Sequence, residues 1–219
     1  MNRELAEIIR IYATKTHKEL NSYLLDCSKN NLIAILTDLL TIYMNDSNSS
    51  TLREFLTVTL AGYQHTKGKI GYNGYKLSAY GKPIRCEAKP KNIKSSGRGK
   101  LNGGGNFTDY THERLERDLN ENINMLVSGF IDGKLIYIIE FPFRCEKFVK
   151  KLEDQLNKRF PDGDIPGQYL RSASFTYEDY INCKNLKLVF CLPKKELRKY
   201  ENYIVKKFYK FLWENAQDG

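Results

Sequence analysis

A chain of 219 residues is long enough to bury a sizeable core in one large domain. Its 35 Lys and Arg against 26 Asp and Glu leave a formal charge of +9, which fits a polyanionic partner. Cys27, Cys86, Cys145, Cys183 and Cys191 are odd in number and never spaced as CxxC, which argues against a disulfide framework and a zinc site. No run approaches the roughly 18 apolar residues of a membrane span, and Met1–Leu5 lacks a basic-then-apolar leader. Reduced thiols, a cytoplasmic location and no membrane partner are the resulting expectations.

The first sixty residues read as helical, with Leu5, Ile8, Ile9 and Tyr12 on one face, then Leu32, Ile35, Leu36, Leu39, Leu40 and Tyr43 on a second. Thr51, with Glu54 three residues on, has the form of a capping box. It would open a helix that buries Leu52, Phe55, Leu56 and Leu60. From Ile70 the period shortens, suggesting strands over 71–76 and 82–89, with Pro90 ending the second. Residues 91–108 are basic and glycine-rich and read as a mobile loop. They lack the GxxxxGK[ST] spacing of a Walker phosphate loop. A short charged helix over 111–120 is followed by strands 125–131 and 134–141, joined by an Asp132-Gly133 type I′ turn. A helix through Phe148 to Phe160, strands over 169–177 and 186–192, and one long amphipathic C-terminal helix complete the chain. The fold class is α/β or α+β, a mixed central β-sheet flanked by helices. One domain is expected over 1–219: a helical part to about 62, a core over about 63–143 and a C-terminal part beyond.

Glu87-Ala88-Lys89 is the segment with chemistry in it. In a strand, Glu87 and Lys89 share one face and Cys86 and Ala88 the other. A carboxylate there can hold a hard divalent cation while an ammonium two residues on reaches a phosphate or an attacking water. An ion pair on a solvated edge strand is the structural alternative. The other acid-x-Lys triplet, Asp132-Gly133-Lys134, is a turn. His17, His65 and His112 have no paired-ligand spacing.

Together with Gly71-Tyr72-Asn73-Gly74-Tyr75 and the following hairpin, this strand resembles the core of the PD-(D/E)xK nucleases, type II restriction endonucleases above all. The resemblance covers residues 51–143. It implies a restriction-endonuclease-like core and Mg²⁺ held by Glu87, the Ala88 carbonyl and Asn73. Asn73 stands where the family carries an aspartate, a weaker neutral ligand, and Asn73-Gly74 is also a common turn dipeptide. Glu54 is a candidate for the missing acid. Lys89 would orient the attacking water. Sequence-specific cleavage of double-stranded DNA by a homodimer follows from the resemblance. Candidate DNA contacts are Lys91, Asn92, Lys94, Arg98 and Lys100, and Gln168, Arg171, Ser172, Ser174, Thr176 and Tyr177. A non-catalytic nucleic-acid-binding protein and a nuclease of branched DNA or RNA are the alternatives.

Overall fold

The computed structural model describes residues 3–46, 50–66, 72–121 and 123–218, so the expected strand start at Gly71 lies outside the described residues. The chain forms two compact units, Met1–Ser50 and Thr51–Gly219. The helix beginning at Thr51 therefore belongs with the sheet.

The first unit holds α1 (Arg3–Thr14), α2 (His17–Leu25) and α3 (Lys29–Asn45). Two side-chain caps divide it. Thr16 and Glu19 form a capping box at the start of α2, and Ser28 accepts the Asn31 N–H at 3.2 Å at the start of α3. Both supply acceptors for amides that a helix start leaves open. Leu5, Ile11 and Ile35 are buried. Leu32, Leu36, Leu39, Leu40 and Tyr43, expected to share a buried face with Ile35, are exposed instead.

The second unit runs in order through α4 (Thr51–Leu60), β1 (Gln64–His65), β2 (Gly74–Leu77), β3 (Pro83–Ile93), β4 (Gly105–Tyr110), α5 (His112–Glu121), β5 (Asn124–Ile131), β6 (Lys134–Pro142), α6 (Glu146–Arg159), β7 (Leu170–Phe175), β8 (Lys187–Cys191), α7 (Lys194–Leu197) and α8 (Lys206–Asn215). Six strands make one mixed sheet in the order β1-β2-β3-β5-β6-β8, while β4 and β7 pair apart from it. Among the described residues only β3 and β5 run parallel within the large sheet, and the crossover between them carries β4 and α5. Val58 of α4 packs with Cys86, Ala88 and Leu126 on one face. On the other face α5, α6, α8 and the β4–β7 ribbon share a larger core, in which Phe107, Phe141, Phe148, Phe175 and Phe208 are buried. A mixed sheet flanked by helices is the expected fold class. Asp132 and Gly133 have φ of 48° and 76°, as a type I′ turn requires.

Several boundaries differ for identifiable reasons. The buried side of α4 is Arg53, Thr57 and Val58, whereas Phe55 and Leu60 are exposed. Thr57 Oγ1 lies 2.6 Å from Ser128 Oγ of β5, a buried polar contact that a search for apolar spacing misses. Thr51 is the first residue of α4, within the helix. Residues 91–108 are largely built into the fold, as the end of β3, a turn, and β4. The single C-terminal helix is interrupted at Ile204, where the backbone extends. Leu101 N–H donates to Tyr203 O and Val205 N–H to Leu101 O, both at 2.9 Å. These inter-segment bonds replace a helical turn. All five cysteines are free thiols, with Cys86 and Cys145 buried. Among the described residues, no helix is long and apolar enough to cross a membrane.

Glu140 of β6 ties the α4 side together. Its buried Oε1 accepts from Tyr63 Oη at 2.6 Å, Asn124 Nδ2 at 2.8 Å and Lys76 Nζ at 3.1 Å. Burial, followed by the bond to Glu140, pushes the Tyr63 pKa far above its ordinary value. Glu140→Ala leaves these donors without their shared acceptor. The expected loss is about 3 kcal/mol in urea unfolding, the scale for breaking a buried ion pair, and a loss within error would show that the network contributes nothing net.

Candidate active site

The geometry begins with β3 losing a neighbour. Its first half pairs with β2 as far as Cys86 opposite Gly74, while β5 accompanies it from Cys86 to Ile93. Beyond Cys86 no strand among the described residues pairs with the other edge. Pro90 is tolerated inside β3 because its missing N–H falls at an alternate position on that unpaired edge, which is why it does not end the strand. At the point of divergence stands Asn73. Its N–H donates to Cys86 O at 2.9 Å and its Oδ1 accepts from Ala88 N–H at 2.7 Å, so it brackets Glu87. An amide side chain thus takes over where the backbone ladder stops. Asn73 Nδ2 donates to Glu54 Oε2 at 3.3 Å, joining α4 to the same point. Because N–H and C=O of one strand residue point to the same side, the Ala88 carbonyl is directed to this open edge.

Alternation sorts β3 as expected. Cys86 and Ala88 are buried against α4, while Arg85, Glu87, Lys89 and Lys91 share the opposite face. Lys89 Nζ lies 2.6 Å from Glu87 Oε1 and 4.4 Å from the centre of the Phe107 ring. Glu87 is only 8% exposed. A solvated edge pair does not describe it. Arg114 of α5 comes within 3.9 Å of the same Glu87 oxygen, and Asp118 lies one turn on, 3.8 Å from Arg114 Nε. Burial raises the Asp118 pKa, outweighing the Arg114 and Arg117 charges. Tyr110 is buried alongside, and its pKa is driven up by burial and then by Asp118.

The glycines expected to loosen the following segment form a wall of this site. Gly103 has φ of 64° and sits so close to Tyr177 and Phe208 that a Cβ would collide with both. A Cβ on Gly105 would fall 2.8 Å from that of Lys89. Asn102 Oδ1, just before them, accepts from Lys91 Nζ at 3.2 Å. Burial lowers the Lys91 pKa.

The remaining candidate residues separate into two groups. Lys94, Arg98 and Lys100 are exposed on the turn after β3. Ser172 and Ser174 pair with Thr108 and Asn106 on the outward face of the β4–β7 ribbon. Arg171 lines a groove of about 580 Å³ with Asn106, Thr108, Asp109 and Ser172. Gln168 is exposed just before β7 and accepts from Arg159 at 3.4 Å. The other group has structural contacts. Asn92 Oδ1 accepts from Gly133 N–H at 3.1 Å, Thr176 caps a short 3₁₀ turn with Asp179, and Tyr177 packs on Phe208. Asn106, Thr108, Arg114 and Asp118 do not stand out in the sequence. Alternation in Asn106-Phe107-Thr108 is hidden by the glycines before it, and Arg114 with Asp118 looks like any helical i,i+4 pair.

As a donor set for a hard cation, the site offers the carboxylates of Glu87 and Glu54, the Asn73 amide oxygen and the Ala88 carbonyl. Among the described residues no three His, Cys, Asp or Glu side chains are gathered as a metal cage. One carboxylate with carbonyl oxygens is a set magnesium accepts, since it keeps several of its waters, and Glu54 reaches Asn73 from the α4 side, opposite the face that carries Glu87. No known protein family matches the chain, and no curated protein matches it. Asn73→Asp keeps an acceptor for Ala88 N–H but loses the donor to Glu54 and sets acids side by side. Thermal unfolding in chelator should show a loss of about 1 kcal/mol, the scale of one lost hydrogen bond. Magnesium should restore it, and a variant indifferent to magnesium would leave Asn73 a purely structural bracket.

Proposed function

We propose that this protein is a magnesium-dependent endonuclease of the PD-(D/E)xK kind, most like a type II restriction enzyme, acting on double-stranded DNA as a homodimer. The observation that carries this reading is the opening of β3 at Glu87-Ala88-Lys89, with Asn73 bracketing Glu87 and Glu54 drawn to the same edge. In this reading Glu87, the Ala88 carbonyl and either Asn73 or Glu54 hold the cation. Bound there, it would polarise the scissile phosphate and lower the pKa of a coordinated water. Lys89, held over Phe107, orients the attacking water and offsets charge building on phosphorus. The outward face of the β4–β7 ribbon supplies uncharged hydrogen-bonding groups, with Arg171 at its margin, and a two-stranded ribbon fits the major groove. Lys94, Arg98 and Lys100 supply phosphate contacts. Two opposed scissile phosphates in a palindromic site call for two copies about a twofold axis.

A second reading has its own support. The 2.6 Å Lys89–Glu87 pair satisfies both charges without a metal, as a non-catalytic DNA-binding protein would have it. Plasmid incubated with magnesium separates the two, since only the nuclease produces nicked or linear DNA that chelator abolishes. Glu87→Ala and Lys89→Ala should each lower cleavage by several orders of magnitude while leaving DNA binding in place. Normal turnover in either would remove the assignment.

Removing the charges of Lys94, Arg98 and Lys100 together should lessen the dependence of log K on log salt by about 0.9 for each phosphate no longer neutralised. Filter binding across a salt series measures this. An unaltered slope would put the duplex on another face.

A further inference from the structure

We infer that Arg114 is a positioning residue that holds Glu87 against entry of a divalent cation and so sets how tightly the site binds one. This rests on the metal-site reading of Glu87. Its guanidinium is fixed on several sides. One terminal nitrogen donates to Thr108 O at 2.9 Å, and the group lies over the rings of Phe107 and Tyr110 at 5.6 and 5.3 Å. The other terminal nitrogen faces Glu87 Oε1 at 3.9 Å. Nε is buried without a hydrogen-bond partner and lies 3.8 Å from Asp118 Oδ2.

Around Glu87 the cations outnumber the acids: Lys89 and Arg114 face Glu87, while Asp118 is shared between Arg114 at 3.8 Å and Arg117 at 3.3 Å. A divalent cation arriving there meets a carboxylate already faced by two cations. Affinity for such ions follows the charge of the ligand set, so this arrangement weakens binding. Arg114 is placed to do this through Glu87, because the wall of β4 and α5 prevents it from swinging away without giving up its own hydrogen bond and ring packing.

The test is Mn²⁺ alone, bound to the full chain after treatment with chelator, with unbound ion read by electron paramagnetic resonance. Arg114→Gln should bind Mn²⁺ more tightly by roughly five-fold or more, since two unit charges about 4 Å apart differ by that factor even at the dielectric of water. Arg114→Lys, which keeps the charge, should stay near the parent. Asp118→Asn should bind more weakly, because it leaves Arg114 without its balancing acid. A merely structural role for the cluster would weaken Arg114→Gln and Asp118→Asn alike. Arg114→Gln binding no better than the parent, while Glu87→Gln has lost the site, would overturn the inference and leave the metal reading standing. Glu87→Gln binding like the parent would remove both. Should Arg114→Gln not fold, unchanged affinity in Asp118→Asn overturns the inference by itself.

Discussion

One constraint organises this protein: β3 must stay a central strand through Ile93 while its partner β2 ends its pairing opposite Cys86. A strand edge that loses its neighbour presents N–H and C=O groups needing other partners. Asn73 satisfies one with its side chain, and in doing so fixes the backbone around Glu87 and draws Glu54 of α4 to the same edge. Pro90 removes a donor from this edge. Strand pairing, burial of Cys86 and Ala88 under α4, and presentation of Glu87 and Lys89 on the opposite face are therefore aspects of one local arrangement.

The face bearing Glu87 is crowded, and the crowding has an electrostatic consequence. Phe107, the glycine turn and Arg114 take the Glu87–Lys89 pair largely out of water, which strengthens the attraction between them. Desolvation is offset by pairing: Lys89 against Glu87, Arg114 between Glu87 and Asp118. Burial outside these pairs shows in the depressed Lys91 pKa and the raised pKa of Tyr110. A pair of buried charges, rather than an isolated one, is the form that a stable fold tolerates.

The two-stranded β4–β7 ribbon connects this site to the surface. Its inward residues, Phe107, Ala173 and Phe175, belong to the main core, while Asn106, Thr108, Ser172 and Ser174 face outward on the same two strands. Anything bound to the outward face therefore bears on residues that pack directly against Lys89. The basic turn at Lys94, Arg98 and Lys100 is anchored by Ser95 N–H to Asp132 and by Asn92 to Gly133, so its charges extend from the β5–β6 hairpin.

Local pattern in the sequence determined a good deal: the helices of the first unit in outline, the Asp132-Gly133 hairpin, α6, and the shared face of Glu87 and Lys89. Each depends on backbone periodicity or on φ preferences that neighbouring residues dictate. Tertiary structure decided what local pattern cannot contain. Gly103 and Gly105 read as flexibility, yet they are small because Phe208 and Lys89 approach them from distant segments. The C-terminal helix is periodic in sequence but opens at Ile204 because Leu101, about a hundred residues earlier, pairs there. Arg114 and Asp118 have the spacing of an ordinary surface pair. Only the packing of α5 beside β3 turns them toward Glu87, because proximity across a fold is set by how the elements pack, whereas spacing along the chain records only the face of a single element.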